Sequence, residues 1–172
     1  MRSRADQSAA RAEVSVGLLY RYFGSKAGLV AAVVESFYDR FHAEVADTDP
    51  APDAGWASRE RKRLELSVAF HYREPLAAVV LAREPREPEV AAVEVRRIER
   101  LVEDAARNVT AGQRRGELPP DLDPRTVGAM LIGGFRVAMG EALTRARRPD
   151  PERLVDELWR FVVNGVRFTD GA

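Results

Sequence analysis

Apolar positions along this chain recur at steps of three and four residues, and no apolar/polar alternation is long enough for a confident strand. The period predicts an all-α fold. From Lys26 to about Asp47, Val30, Val33, Val34, Phe37, Tyr38, Phe41 and Val45 share one helix face. Residues 48–55, T-D-P-A-P-D-A-G, break the pattern with two prolines and a glycine and read as a linker between a unit at 1–47 and one at 48–172. Residues 56–73 place Leu64, Val68, His71 and Tyr72 on one stripe and Leu66 and Phe70 on another, which marks a central helix packed on two sides. Pro75 can open a short helix, Leu76 to Arg83, that ends before Pro85. Pro88 opens a long one to about Arg115, stopped at Gly116, with Val90, Val93, Leu101, Val102 and Val109 on its inner side.

The last two segments, Pro124 to Arg147 and Pro151 to Phe168, carry apolar stripes wider than one core can use. Glycines at 133, 134, 140 and 165 allow close helix approach. The pattern predicts one face turned inward and one against a second subunit, a homodimer interface that includes Phe135, Leu158, Phe161, Val162 and Gly165. The alternative is a last helix buried within one protomer.

The stretch 14–26, V-S-V-G-L-L-Y-R-Y-F-G-S-K, has a different character. Ser15 is a good N-cap for a helix of two turns ending at Gly24, and Ser25 caps the next one. So short a helix needs neighbours to hold Leu19 and Phe23, which leaves its other face presented outward. Gly17 permits close backbone approach, Tyr20 and Tyr22 can donate to phosphate oxygens, and Lys26 stands at a helix N-terminus where an anion is welcome. With A-A-R-A just before it, V-S-x-G-x-L-Y-x-Y-F-x-S-K resembles the second half of the helix-turn-helix of TetR-family transcriptional regulators.

The resemblance implies a helix-turn-helix head on a helical effector-binding and dimerisation body, with duplex operator DNA as partner. It implies a repressor released from its operator by a small effector, in which the Lys26 helix connects head to body. Ser15, Val16, Gly17, Leu18, Tyr20, Arg21, Tyr22 and Lys26 are then the DNA-facing residues, with Arg21 the strongest hydrogen-bonding candidate for a base edge. Two positions depart from the pattern. Ser8 stands where the family has an aliphatic residue, and Glu13 replaces the glycine of the turn. Relatives also carry a further helix before this motif, so the chain is expected to hold a truncated head and to bind DNA weakly. A dimeric small-molecule-binding protein that has lost DNA recognition is the second reading.

Charge adds little to this picture. Lys+Arg and Asp+Glu both number 27, so attraction to DNA must be local; Arg2, Arg4, Arg11, Arg21 and Lys26 against Asp6 and Glu13 give the first 26 residues an excess of +3. The absence of cysteine excludes disulfides and thiolate metal sites and is compatible with the cytoplasm, and no apolar run approaches the length of a membrane span. His42 and His71 are the only histidines, and no nucleophile, metal or phosphate-loop spacing stands out, so neither an enzyme nor a cofactor is expected. Trp56, Phe70, His71, Tyr72, Met130, Phe135 and Met139 are the candidates to line an apolar cavity for a hydrophobic or cationic aromatic effector.

Overall fold

The computed structural model describes residues 21–82 and 84–166. Among these every regular element is helical. We number them α1 (Lys26–Phe41), α2 (Trp56–Arg73), α3 (Ala77–Val80), α4 (Pro88–Arg114), α5 (Pro124–Thr144) and α6 (Pro151–Gly165), with a π-helical turn His42–Ala46 continuing α1.

The start signals are chemical. Pro88, Pro124 and Pro151 each sit in a first helical turn, where the missing N–H is no loss. Asp123 and Asp150 cap α5 and α6 by accepting from the backbone N–H of Thr126 and Arg153 at 2.7 and 3.1 Å. Those hydrogen bonds from Thr126 hold the Asp123 carboxyl below the usual carboxylate range. The short helix expected over Leu76 to Arg83 shrinks to Ala77–Val80, and Arg83 lies outside the described residues. Arg86 donates to the carbonyl of Val79 in that helix, which also accepts the Ala82 backbone N–H at 3.3 Å.

The main core joins α1, α2, α3, α4, α5 and α6 around Phe37, Phe70, Val68 and Met139, all essentially without exposure. Phe37 and Phe41 both meet Phe70 edge-on at 5.3 Å between ring centroids. A second cluster, Trp56, Val109, Leu118 and Val166, fills another part of the bundle, where Trp159 lies 6.2 Å from Trp56. Val30 and Val33, expected on the inner face of α1, stand at its margin with more than a third of their surface exposed. Arg97 of α4 reaches Glu35 of α1 at 3.2 Å, and Arg40 of α1 reaches Glu74 at 2.7 Å, so α1 is held to α4 and to the end of α2 by charge as well as by packing.

α5 is 21 residues long with a mean hydropathy of 1.2, enough by length and composition for a membrane span despite Arg136. In this fold it runs along α4 and against α3, and its remaining apolar surface faces outward with that of α6.

Candidate functional site

The head is described from Arg21 onward. Arg21, Tyr22 and Phe23 end a helical turn, Gly24 turns the chain at φ +68°, and Ser25 opens α1 by accepting from the Gly28 N–H at 2.9 Å. A positive φ suits glycine alone without strain. Arg21, Tyr22 and Lys26 are all exposed, with Tyr22 at 80%, and so lie together on the surface around this turn. Ser15, Val16, Gly17, Leu18 and Tyr20, the other expected DNA-facing residues, lie outside the described residues.

Gly28 fixes how this turn sits on α1, a point sequence reasoning missed. A Cβ there would stand 2.2 Å from the Phe23 carbonyl oxygen, a backbone atom that cannot swing away. Gly28→Ala is therefore expected to displace residues 21–25 from α1 and to lower DNA affinity about tenfold, from about 1–3 kcal/mol of overpacking. The body should be spared. Circular dichroism should show a melting transition within a few degrees of the parent while DNA titration reads the loss.

The body contains a cavity of about 390 Å³, open on one side. Trp56, His71, Met130 and Phe135 line it, as expected; Phe70, Tyr72 and Met139 do not. Phe70 and Met139 have no exposed surface and serve the core, while the Tyr72 hydroxyl donates to the Pro149 carbonyl at 2.8 Å. The remaining wall brings together α1, the π turn, α2, α4, α5 and α6. Tyr38 and Phe41 from the last turns of α1, then Val45 and Ala46 from the π turn, form one part of it. Met130 and Phe161 also line it, and at 63% and 66% exposure they mark its open side.

Polar groups in this wall are few and largely committed. Glu60 pairs with Arg63, whose other amino group donates to the Thr48 carbonyl at 3.2 Å; burial still pushes the Glu60 carboxyl up against the pull of Arg63. Arg136 donates to the Tyr38 hydroxyl, a contact between α5 and α1, and burial raises the Tyr38 pKa despite that cation. His71 is ringed by Phe37, Phe41, Phe70 and Phe135, all with centroids within 5.7 Å. Its Nδ1 lies 2.7 Å from the Ser67 carbonyl, which can only accept, so Nδ1 carries the proton and Nε2 is a lone-pair acceptor. Asp104 and Asn108 of α4, also in the wall, were not singled out from sequence.

Burial lowers the His71 pKa to about 4, from an ordinary value of 6.5. Folding thus favours neutral His71, and the unfolded chain takes up the proton first as pH falls. The stability it contributes is complete above pH 6.5 and is lost progressively between 6.5 and about 4, to a total of about 3 kcal/mol. His71→Phe is expected to flatten that part of the stability curve. Urea titrations between pH 7.5 and 4.5 check it, and parallel slopes for parent and variant would contradict it.

Comparison with known proteins joins these two halves. The model of bacterial regulatory proteins of the TetR family matches residues 8–33, from within the undescribed head into α1. A TetR/AcrR-family transcriptional regulator from Thermobifida fusca superposes with a TM-score of 0.67 at 25% identity, covering 93% of this chain and 85% of that one. The chain carries a TetR-family motif and shares the fold of TetR-family transcriptional regulators. A TetR-family regulatory protein from Rhodococcus shares the fold at a TM-score of 0.74 and 19% identity, over 98% of this chain and 88% of its own. A TetR-family transcriptional regulator from Pectobacterium atrosepticum does so at 0.73 and 20%, over 97% and 84%. No protein of curated function matches the sequence significantly. In this chain α1 runs from the turn at Arg21–Lys26 to the wall of the cavity.

Proposed function

We propose that this regulator is a homodimeric repressor whose hold on operator DNA is released when a small, largely apolar effector fills the cavity. One observation carries the reading: α1 begins at the exposed turn of Arg21, Tyr22 and Lys26 and ends, through Tyr38, Phe41 and the π turn, in the cavity wall. Sixteen residues make a rod of about 24 Å, so a displacement at the cavity end becomes a displacement of the head. Two heads enter successive major grooves only at about 34–36 Å separation, and an occupant that favours another separation weakens binding without touching DNA. A volume of about 390 Å³ suits one small molecule.

The dimer is supported by the outward apolar face of α5 and α6. Met130, Val137 and Phe161 are each about half exposed or more, and an added Cβ at Gly133, Gly134 or Gly165 would meet nothing within 4 Å. Gly140 is different: a Cβ there would stand 3.1 Å from the Leu81 carbonyl of the same protomer. Phe135 and Leu158 are half-buried against the core, and Val162 against the second cluster, so of the expected interface residues Phe161 and Gly165 are the most outward. Met130 and Phe161 belong to both this face and the open side of the cavity. A second subunit seated there closes it.

The test uses a labelled operator recovered by selection from random duplexes and a panel of apolar and polar small molecules. Apolar compounds should lower DNA affinity at least tenfold, and Leu64→Trp, which places an indole in the cavity wall, should blunt that response. Release only by sugars or nucleotides, or an unaltered response in Leu64→Trp, would contradict the reading.

A further inference from the structure

We propose that the effector carries a carboxylate on its apolar body, and that Arg136 of α5 receives it in the cavity wall. This deepens the effector reading above and rests on it. The motivation is a cation without a counter-ion. Among the described residues two cationic side chains, Arg63 and Arg136, line the cavity. Arg63 pairs with Glu60, whereas no carboxylate of the described residues forms an ion pair with Arg136.

Arg136 is half-buried, and its guanidinium stands 5.9 Å from the centre of the Tyr38 ring while donating to the Tyr38 hydroxyl. That neutral oxygen is its hydrogen-bond partner among the described residues, so the rest of its N–H fork is uncommitted. Tyr38 and His71 both border the cavity, and both feel this charge. Burial lowers the His71 pKa and Arg136 lowers it further; at Tyr38 burial raises the pKa and the same cation opposes it. The field of Arg136 therefore reaches the cavity. On its other side Arg136 borders a polar cleft with Glu84 and Glu94. Glu94 is met there by Arg86 at 3.6 Å, and Glu84 is exposed to solvent.

A half-buried guanidinium bonded to a phenol has given up water without gaining an opposite charge. A carboxylate supplies that charge and accepts two parallel N–H groups, a fit that an alcohol does not match and an ammonium does not make at all. The carboxylates already in the wall are engaged elsewhere, Glu60 by Arg63 and Asp104 by Arg107. Trp56, Phe135 and Leu158 offer apolar wall to the rest of such a molecule. Arg136 also links the cavity to the connector, since its bond to Tyr38 joins α5 to the last turns of α1. An anion attracts the guanidinium more strongly than the neutral phenol oxygen does. An effector carboxylate therefore draws Arg136 away from Tyr38 and loosens α5 from the cavity end of α1.

The experiment is calorimetric titration of the full chain at pH 7.5 with three probes of one shape: phenylbutanoate, phenylbutanol and phenylbutylamine. The carboxylate should bind about tenfold more tightly than the alcohol, and the amine more weakly than both. Arg136→Gln should bring the carboxylate down to the affinity of the alcohol and leave the alcohol unchanged, which also shows that the variant is folded. Arg136→Lys keeps the charge without the planar fork, and its preference for the carboxylate should fall between those of the parent and Arg136→Gln. A carboxylate that binds no better than the alcohol, or an amine that binds best, overturns the proposal and leaves the effector reading standing. A preference of parental size in either variant overturns Arg136 as the receiving group. No binding of any probe by the parent chain overturns the proposal and counts against the cavity as an effector site.

Discussion

Phe161→Glu is expected to split the dimer while leaving each protomer folded. Two-thirds of Phe161 is exposed in the isolated protomer, so a carboxylate there disturbs little of the core. Across a two-fold interface the same residue occurs twice, and each copy forfeits an apolar anchor and places a charge in a desolvated patch. Two copies at about 2 kcal/mol each raise the dissociation constant about a thousandfold. Sedimentation velocity at micromolar concentration should show the parent as a dimer and the variant as a monomer with the same helical content. Operator affinity should fall at least a hundredfold in the variant, because a single head reads only half a site. A parent chain that sediments as a monomer would remove the basis for both expectations.

The second large effect is expected at Arg21. It is exposed beside the turn into α1 and is the one residue among those expected to face the groove that can make a bidentate contact to guanine. Arg21→Ala should cost about 1–3 kcal/mol per half-site and relax selectivity at one base pair in each. Lys26→Ala should instead weaken binding evenly across sequences and reduce the salt slope, since an ammonium at a helix N-terminus meets phosphate and not base. Titrations of selected and scrambled duplexes at two salt concentrations separate the two. If Arg21→Ala changes only the salt slope, Arg21 holds a phosphate and the base reading lies elsewhere in the motif.

How far the sequence disclosed this molecule depended on how far apart the cooperating residues lie. Helix starts were legible because proline acts within one turn: Pro88, Pro124 and Pro151 stand where their rings are tolerated, while the caps at Asp123 and Asp150 emerged only from the structure. The two-sided stripe of 56–73 gave α2 its central place through Leu64, Val68, Leu66 and Phe70. Wide stripes on α5 and α6 likewise pointed to surface left over after one core is filled, the surface that Met130 and Phe161 now expose. The cavity was legible only in part. Trp56, His71, Met130 and Phe135 line it, but Phe70 and Met139 are equally apolar and point into the core, a distinction of a fraction of a helical turn that composition does not carry. His42 facing Asp104, Arg136 on Tyr38, and Gly28 beneath the Phe23 carbonyl were invisible, because each depends on how one element lies against another. The π turn at His42–Ala46 was hidden as well, since its residues continue the apolar period of α1 without a break.

The central claim is that this chain reads duplex DNA through two symmetry-related heads, and selection from a random duplex library followed by sequencing tests it most directly. The expected result is a pseudo-palindromic site whose half-sites lie about 10–10.5 base pairs apart, or a multiple of that, between centres. Enrichment of a single non-palindromic half-site, or no enrichment at low salt, would contradict it.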